Sequence, residues 1–291
     1  MRQKTRQRGF TLIEMVMVIV IMGVIGGIVA VFMKSPIDAY FDSARRAALT
    51  DVADTTVRRM ARDVRKALPN SLRLPLSGSP SACIEFIPTK TGGRYRADVD
   101  ASGNGDILDF VAPDASFDML GANSALVDQA IALNDVVAVY NLGIPGADAY
   151  NLDNTSAVSS IAAGSLPNET KINIAPRQFP LASGSSRFHV IPSIEHVVSY
   201  VCSGVGTSAA GEGTGTLYRY TRVLASAYAT PASCPVPPAA TPVLAQNVST
   251  CSFVYNGSDM QRNAILQVRV DLTQKNETVS LYHELHVDNA P

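Results

Sequence analysis

A single carboxylate, Glu14, stands at the head of an apolar stretch. From Met15 to Met33 the chain runs for 19 residues without a charge, which is long enough to cross a bilayer as a helix. A carboxylate placed in such a segment costs up to about 3 kcal/mol and normally marks a function or a partner. The sequence therefore predicts a membrane-spanning helix that carries a functional acid at its start.

Residues 98–109 alternate oxygen-bearing side chains with turn-forming glycines, which is the pattern that a calcium ion requires. Positions one, three, five and twelve of an EF-type loop match Asp98, Asp100, Ser102 and Asp109, and further oxygens come from Asn104 and Asp106. The last position lacks the usual glutamate, and no helices are predicted on either side. We favour a polar hairpin loop before a strand at Ile107 and keep calcium binding as the alternative.

The four cysteines, Cys83, Cys202, Cys234 and Cys251, include no Cys-x-x-Cys pair. In an exported domain this favours disulfides over a zinc site or redox catalysis. Three pairings are possible. We favour Cys202 with Cys251, because both lie in apolar segments that predict strands, which leaves Cys83 with Cys234.

Signatures of catalysis or of a required cofactor are weak in this sequence. His283 and His286 are three residues apart on a predicted strand and so point to opposite faces. The glycine-rich run around Glu212 precedes a strand instead of a helix, which indicates a loop and not a phosphate cradle. No nucleophile-and-base motif appears, although such triads are spatial. We therefore predict a non-enzymatic protein.

The charges are balanced overall but uneven along the chain. Lys and Arg total 24 against 25 Asp and Glu, for a net charge of -1, so the whole chain offers no electrostatic footprint for nucleic acid. The first eight residues, however, hold Arg2, Lys4, Arg6 and Arg8 and no acid. By the positive-inside rule the amino terminus stays cytoplasmic and everything beyond residue 34 is exported, in a bacterium to the periplasm.

Two simpler explanations of the apolar segment are a secretory signal peptide and a plain membrane anchor. Signal peptides have apolar regions of about 7–15 residues that close with a small-x-small site. This run is longer, and its best candidate site, Ile28-Val29-Ala30, has a bulky residue where a small one is needed. A plain anchor fits better but leaves Glu14 unexplained.

The sequence predicts an α+β fold, with one long helix packed on an antiparallel β-sheet head. Residues 10–33 form the membrane segment, residues 34–68 an amphipathic helix and residues 69–291 the head. Ser35 and Pro36 resemble a helix start, so the helix should bend or restart there, and Pro69 should end it. Its apolar stripe is predicted to comprise Ile37, Tyr40, Phe41, Ala44, Ala48, Val52, Thr56, Met60, Val64 and Leu68.

Beyond Pro69 the pattern is that of strands, rich in β-branched and aromatic residues and bounded by turn residues. We predict strands at residues 83–87, 107–111, 135–140, 187–191, 196–202, 215–222, 248–255, 265–272 and 278–287. The last two should form a hairpin, and residues 141–186 should be mostly loops.

The helix also carries a basic face with Arg45, Arg46, Arg58, Arg59, Arg62 and Arg65. One interpretation is a solvated face with ion pairs Asp54–Arg58 and Arg59–Asp63 at four-residue spacing. The other is a strip that meets acidic faces of neighbouring subunits. Nucleic acid is not expected as a partner, because no reading module accompanies the strip.

The basic leader followed by Gly9-Phe10-Thr11-Leu12-Ile13-Glu14 and an apolar helix resembles the processing site of type IV prepilins and type II secretion pseudopilins. The resemblance implies that a prepilin peptidase removes leader residues 1–9 at the cytoplasmic face. It also implies methylation of the new amine on Phe10 and a role for Glu14 in assembly. Major pilins usually carry a proline near the middle of this helix, whereas Val31 stands there in this chain and the first proline is Pro36.

Further segments are similar to the PilW kind of minor pilin and to the J-type minor pseudopilin of type II secretion, namely residues 44–47, 58–63 and 67–71. Residues 86–96 and 280–287 resemble the MshO type of minor pilin of the mannose-sensitive haemagglutinin (MSHA) pilus. The resemblance implies a minor pilin at or near a filament tip, with other pilins, the peptidase and the inner-membrane assembly platform as partners. The alternatives are a type II secretion pseudopilin and a membrane-anchored periplasmic enzyme or binding protein.

Overall fold

The computed structural model describes residues 9–224, 228–257 and 263–291. The first eight residues of the predicted leader lie outside this range. The chain divides into two units, residues 1–48 and residues 49–291, and helix α1 (Leu12–Val64) contributes to both.

The part of α1 within the first unit presents apolar side chains to the outside from Leu12 to Met33. Within the described residues, α1 is the helix that is long and apolar enough to cross a membrane. Pro36 lies inside α1, so of the bend or restart predicted at this point the restart is wrong. A proline inside a helix removes one backbone hydrogen bond, and here the helix continues on both sides of that loss.

The part of α1 within the second unit buries one face, formed by Leu49, Ala53, Thr56, Val57, Met60, Ala61 and Val64. Thr56, Met60 and Val64 of the predicted stripe belong to this face, whereas Ala48 and Val52 of that stripe are exposed. A stripe built from steps of four drifts by about 40° per step around a helix of 3.6 residues per turn, so it cannot stay on one face. The helix ends at Val64, earlier than predicted, because the following backbone pairs with another segment: the Leu68 N–H donates to the Ile87 carbonyl (2.7 Å).

The strands are, in chain order, β1 (Cys83–Phe86), β2 (Thr91–Arg94), β3 (Asp114–Met119), β4 (Val136–Val139), β5 (Thr155–Ala163), β6 (Thr170–Arg177), β7 (Arg187–Ile191), β8 (Val197–Ser203), β9 (Gly215–Arg222), β10 (Val243–Asn256), β11 (Asn263–Gln274) and β12 (Glu277–Asp288). In the part of the chain that the structure describes they form two six-stranded sheets, ordered β1-β8-β9-β10-β11-β12 and β2-β7-β4-β5-β6-β3. Every pairing is antiparallel. A short 3-10 helix spans Ala149–Asn151. The predicted α+β class is thus confirmed.

Each sheet has its own core, and a third cluster lies between them. Residues Leu49 to Val64 of α1 pack on the first sheet, where Phe86, Tyr200 and Phe253 are among the buried side chains. The second sheet closes over Phe117 and its neighbours. The third cluster, which includes Leu68, Ile87, Ala138, Tyr150 and Val197, draws on residues of both sheets.

One predicted strand does not form, and the sequence analysis did not predict β2, β3, β5 or β6. Residues 107–111 form no strand, because nearby carboxylates take their backbone N–H groups: Asp114 accepts from Asp109 N–H (2.8 Å) and Asp109 accepts from Val111 N–H (2.7 Å). Such local bonds compete with a strand ladder. Residues 141–186, expected to be mostly loops, contain β5 and β6. Strand β5 is rich in Ser and Ala, which hides it from a propensity-based prediction.

The predicted C-terminal hairpin is confirmed in β11 and β12, which pair along their whole length. Its turn is Lys275-Asn276, and both residues have positive φ (49° and 63°). Positive φ at both central residues is the requirement of a type I′ turn, whose twist matches that of paired strands.

Candidate functional site

Glu14 closes the first turn of α1. The Thr11 hydroxyl accepts a hydrogen bond from the Glu14 N–H (3.3 Å), while the Glu14 carboxylate accepts from the Thr11 N–H (2.9 Å) and the Thr11 hydroxyl (3.0 Å). This reciprocal arrangement is a capping box, which satisfies donors that a helix start otherwise leaves open. The carboxylate is therefore held at the helix start by its own chain.

The Gly9–Phe10 peptide bond lies before α1 and is exposed on both residues. Phe10 has 87% of its surface exposed. Because neither residue belongs to the helix, the bond is accessible without unwinding α1.

Small residues follow along the same helix. Gly23 and Gly27 are one helical turn apart, and a Cβ added at either would meet nothing within 4 Å. Small residues at this spacing let helix backbones approach one another in a membrane. This face of α1 is suited to contact with other helices.

The cysteines form two disulfides among the described residues, Cys202–Cys251 and Cys83–Cys234. This is the pairing that the sequence analysis favours. The bridges close loops with sequence separations of 49 and 151 residues. In the chain-entropy model such loops stabilise the folded head by about 4 and about 5 kcal/mol. The second bridge holds the segment around Cys234 against β1.

A polar cluster joins α1 to the first sheet. The Asp63 carboxylate accepts from Arg219 Nε (2.8 Å) and from the Tyr200 hydroxyl (2.7 Å), and Arg219 also binds Glu195 through both terminal nitrogens (3.0 and 3.1 Å). Burial, together with the Asp63 charge, raises the pKa of Tyr200. The predicted pair Asp54–Arg58 is confirmed (2.6 Å). The predicted pair Arg59–Asp63 is wrong, because Asp63 points at the sheet instead.

A second cluster is buried beside β1. The Glu85 carboxylate, in a residue only 4% exposed, binds Arg73 Nε (2.7 Å) and Arg222. The Arg73 guanidinium lies 3.4 Å from the ring centroid of Tyr150, and that of Arg222 lies 3.9 Å from the ring centroid of Tyr228. One carboxylate and two aromatic faces thus balance two largely buried cations.

The predicted calcium residues Asp98, Asp100, Ser102, Asn104, Asp106 and Asp109 share one loop, and the carboxylates of Asp100, Asp106 and Asp109 accept hydrogen bonds from other groups. Asp100 accepts from the N–H groups of Ser102 and Asn104 (both 2.8 Å), which lowers its pKa. Asp106 accepts from the Ser116 hydroxyl (2.6 Å) and lies 3.0 Å from Lys171 Nζ. Across the described ranges, no group of three or more His, Cys, Asp or Glu side chains is arranged to hold a metal ion. Calcium binding by this loop stays a prediction.

If the loop binds calcium, the full-length protein in detergent should melt at a higher temperature in millimolar calcium than in chelator, because a ligand that binds only the folded state stabilises it. Replacing Asp100 with Asn should abolish the difference, whereas Asp128→Asn, at an exposed site outside the loop, should leave it intact. Equal melting temperatures in calcium and chelator would leave the loop as a polar turn.

The remaining sequence candidates are placed as follows. His283 faces the helix side of β12 and is partly buried, while His286 is exposed on the opposite side. The Glu212 loop packs on the final hairpin, where Glu212 accepts from Lys275 N–H (3.3 Å). The structure brings neither histidine into a catalytic group with Glu212.

The sequence analysis missed the capping partner Thr11 and the Glu85 cluster. The first had a readable signal, since Ser or Thr followed three residues later by Glu before an apolar run is a capping-box pattern. The second had none, because Arg73, Glu85 and Arg222 are far apart in sequence and meet only in the folded head.

Comparison with known proteins adds one match at the amino terminus. Residues 4–30 match the prokaryotic N-terminal methylation motif, a type IV pilin-like signal. No curated protein and no solved structure matches the chain. The motif spans the residues that the capping box and apolar helix occupy, and the α1-on-sheet layout is like that of type IV pilins. The motif and the long apolar helix at the amino terminus support a prepilin-like protein that is anchored in a membrane.

Proposed function

We propose that this protein is a minor pilin that takes part in assembly of a type IV pilus of the MSHA type, as an MshO-like subunit at or near the filament tip. The observation that carries the proposal is the methylation motif, together with an accessible Gly9–Phe10 bond and a glutamate fixed at position 14. A plain anchor needs none of these features.

The amino terminus would lie in the cytoplasm and the head in the periplasm. The four cations of the leader support this orientation through the positive-inside rule. The two disulfides also support it, because disulfides persist in an oxidising compartment. From the inner membrane the subunit would pass into the pilus together with other major and minor pilins.

Processing provides the direct test. We expect the mature protein to begin at Phe10 with a methylated amine, because the leader holds the Gly9–Phe10 bond at the cytoplasmic face where a prepilin peptidase works. Intact-mass analysis of the membrane fraction measures this. A protein that still begins at Met1, or one cut near Ala30, would contradict the proposal.

Copurification separates the pilus from the type II secretion machine. We expect MSHA-type pilins to copurify with this protein after membrane solubilisation. Recovery with secretion pseudopilins would assign the subunit to type II secretion instead. The chemistry of the processing site is the same in both cases.

A further inference from the structure

A groove runs between the last turns of α1 and strand β12. Its volume is about 680 Å³. Helix α1 contributes Asp54, Arg58 and Arg62 to one wall, Arg65 follows directly after the helix end, and the strand contributes Leu281, Tyr282 and His283. All of these residues belong to the second unit of the chain.

The floor of the groove is the free edge of the first sheet. Strand β12 pairs with β11 over twelve residue pairs without a register shift, and no other strand in the described ranges pairs with it. Edge strands expose unpaired N–H and C=O groups, which proteins usually protect with charged side chains, with proline or with a bulge. Strand β12 has no proline, lysine or bulge, and its Glu284 and Asp288 lie on the exposed face opposite the helix side.

The opposite edge of the same sheet is closed. There the backbone of Arg73 exchanges two hydrogen bonds with Glu85 of β1 (2.9 and 3.1 Å). The contrast between a covered edge and a long open one marks β12 as a place where another strand can add.

The groove wall is positively charged. Arg58 is paired with Asp54, but no carboxylate among the described residues lies within ion-pair distance of Arg62 or Arg65, and both side chains are exposed. Arg58 and Arg62 are about 6 Å apart along the helix axis, and Arg65 follows directly after the helix end. Alternate residues of an extended strand repeat at about 6.8 Å, so flexible arginines can reach successive acids on one face of it.

We propose that the groove receives an extended, carboxylate-bearing segment of a neighbouring subunit, which adds as a strand to the edge of β12 and turns its acids toward Arg62 and Arg65. The backbone bonds of such an addition supply affinity, and the alternate side chains supply selectivity. The identification of the partner as a pilus subunit rests on the proposed function. The proposal that the groove binds an acidic strand does not depend on it.

A second copy of this chain fits the groove less well. The helix-facing side chains in the middle of β12 are Val279, Leu281 and His283. These are apolar or basic, so a copy of β12 laid in the groove would bring no carboxylate to the arginines there.

The test uses a fluorescent twelve-residue peptide of alternating glutamate and threonine, with a lysine–threonine peptide as its control. Anisotropy is measured on the full-length protein in detergent. We expect the acidic peptide alone to bind, and salt to weaken its binding. Arg62→Glu with Arg65→Glu should lower the affinity at least tenfold. Arg59→Glu, on the same helix but outside the groove, should change it less than twofold.

Strand addition is tested separately, without altering the protein. Two versions of the acidic peptide are N-methylated at alternate amides, so that each version has the N–H groups of one peptide edge blocked. One version should still bind and the other should not, because only one edge of the peptide forms hydrogen bonds with β12. Equal binding of both would overturn the proposal.

Four other outcomes would also overturn the proposal. The acidic peptide does not bind, or Arg59→Glu lowers its affinity as much as the groove variant does. Alternatively, the protein self-associates and the groove variant abolishes this, or an oligothymidine of equal charge binds more tightly than the peptide.

The result is separable from the proposed function. Without peptide binding but with cleavage after Gly9, the groove proposal alone falls. With peptide binding but no cleavage, the proposed function falls and the groove stands.

Discussion

Replacing Glu14 with Ala should leave the protein abundant in the membrane fraction but lower its recovery with sheared filaments at least tenfold, a difference of about 1.4 kcal/mol. In a subunit anchored as proposed, the carboxylate lies in the apolar layer at the start of α1, where an unpaired charge is unfavourable. The methylated amine of a neighbouring subunit can neutralise it as the helices bundle. Pairing then relieves two poorly solvated charges at once.

The capping box adds a second role for Glu14 that must be separated from the first. Glu14→Gln keeps a side chain that can reach back to the Thr11 N–H but removes the charge. Thr11→Ala keeps the charge and removes the cap hydroxyl, at a cost of about 1 kcal/mol. If pairing between subunits matters, Glu14→Gln should fail like Glu14→Ala, and Thr11→Ala should still be recovered with filaments.

The opposite pattern would contradict this account. If Glu14→Gln enters filaments normally while Thr11→Ala does not, Glu14 acts only as a helix cap. Unchanged recovery of Glu14→Ala would return the plain anchor to contention. Membrane-fraction abundance, measured in parallel, shows that each variant is inserted.

Replacing Glu85 with Gln should lower the free energy of unfolding of the head by about 3–5 kcal/mol, because removing one partner of a buried ion pair leaves charge uncompensated. Both Arg73 and Arg222 bind this one carboxylate, and all three side chains are largely buried. Urea unfolding followed by far-ultraviolet circular dichroism measures the loss.

Two further variants control for this effect. Glu284→Gln, at an exposed carboxylate of β12, should change the free energy of unfolding by less than about 0.5 kcal/mol. A triple variant with Met at 73, Leu at 85 and Met at 222 should recover much of the loss, since apolar replacement of a buried ion cluster is often neutral. A stability for Glu85→Gln within about 0.5 kcal/mol of wild type would show that water already solvates this site.

Local patterns in the sequence were sufficient to predict the features of the amino terminus. These features are the charge-free run from Met15 to Met33, the leader cations and the position of Glu14. Each depends only on residues that are neighbours in the chain, so each can be recognised without knowledge of the fold. The hairpin of β11 and β12 was readable for the same reason. Its strands alternate strongly and are adjacent in the chain.

Tertiary structure decided what depends on distant partners. The buried face of α1 was set by the sheet beneath it, which selected Leu49, Ala53 and Val57 over the exposed Val52. Asp63 pairs with Arg219 of the sheet and not with its helical neighbour Arg59, because Arg219 is the more buried cation. Residues 107–111 are apolar enough for a strand but form a loop, because nearby carboxylates accept hydrogen bonds from their N–H groups.

The candidate sites divide along the same line. The Gly9–Phe10 junction and Glu14 are short-range features, so the sequence by itself determined the position of this candidate site. The Glu85 cluster and the groove beside β12 combine residues more than a hundred positions apart. Only folding brings them together, because burial and strand pairing, and not sequence proximity, determine which charges share one environment.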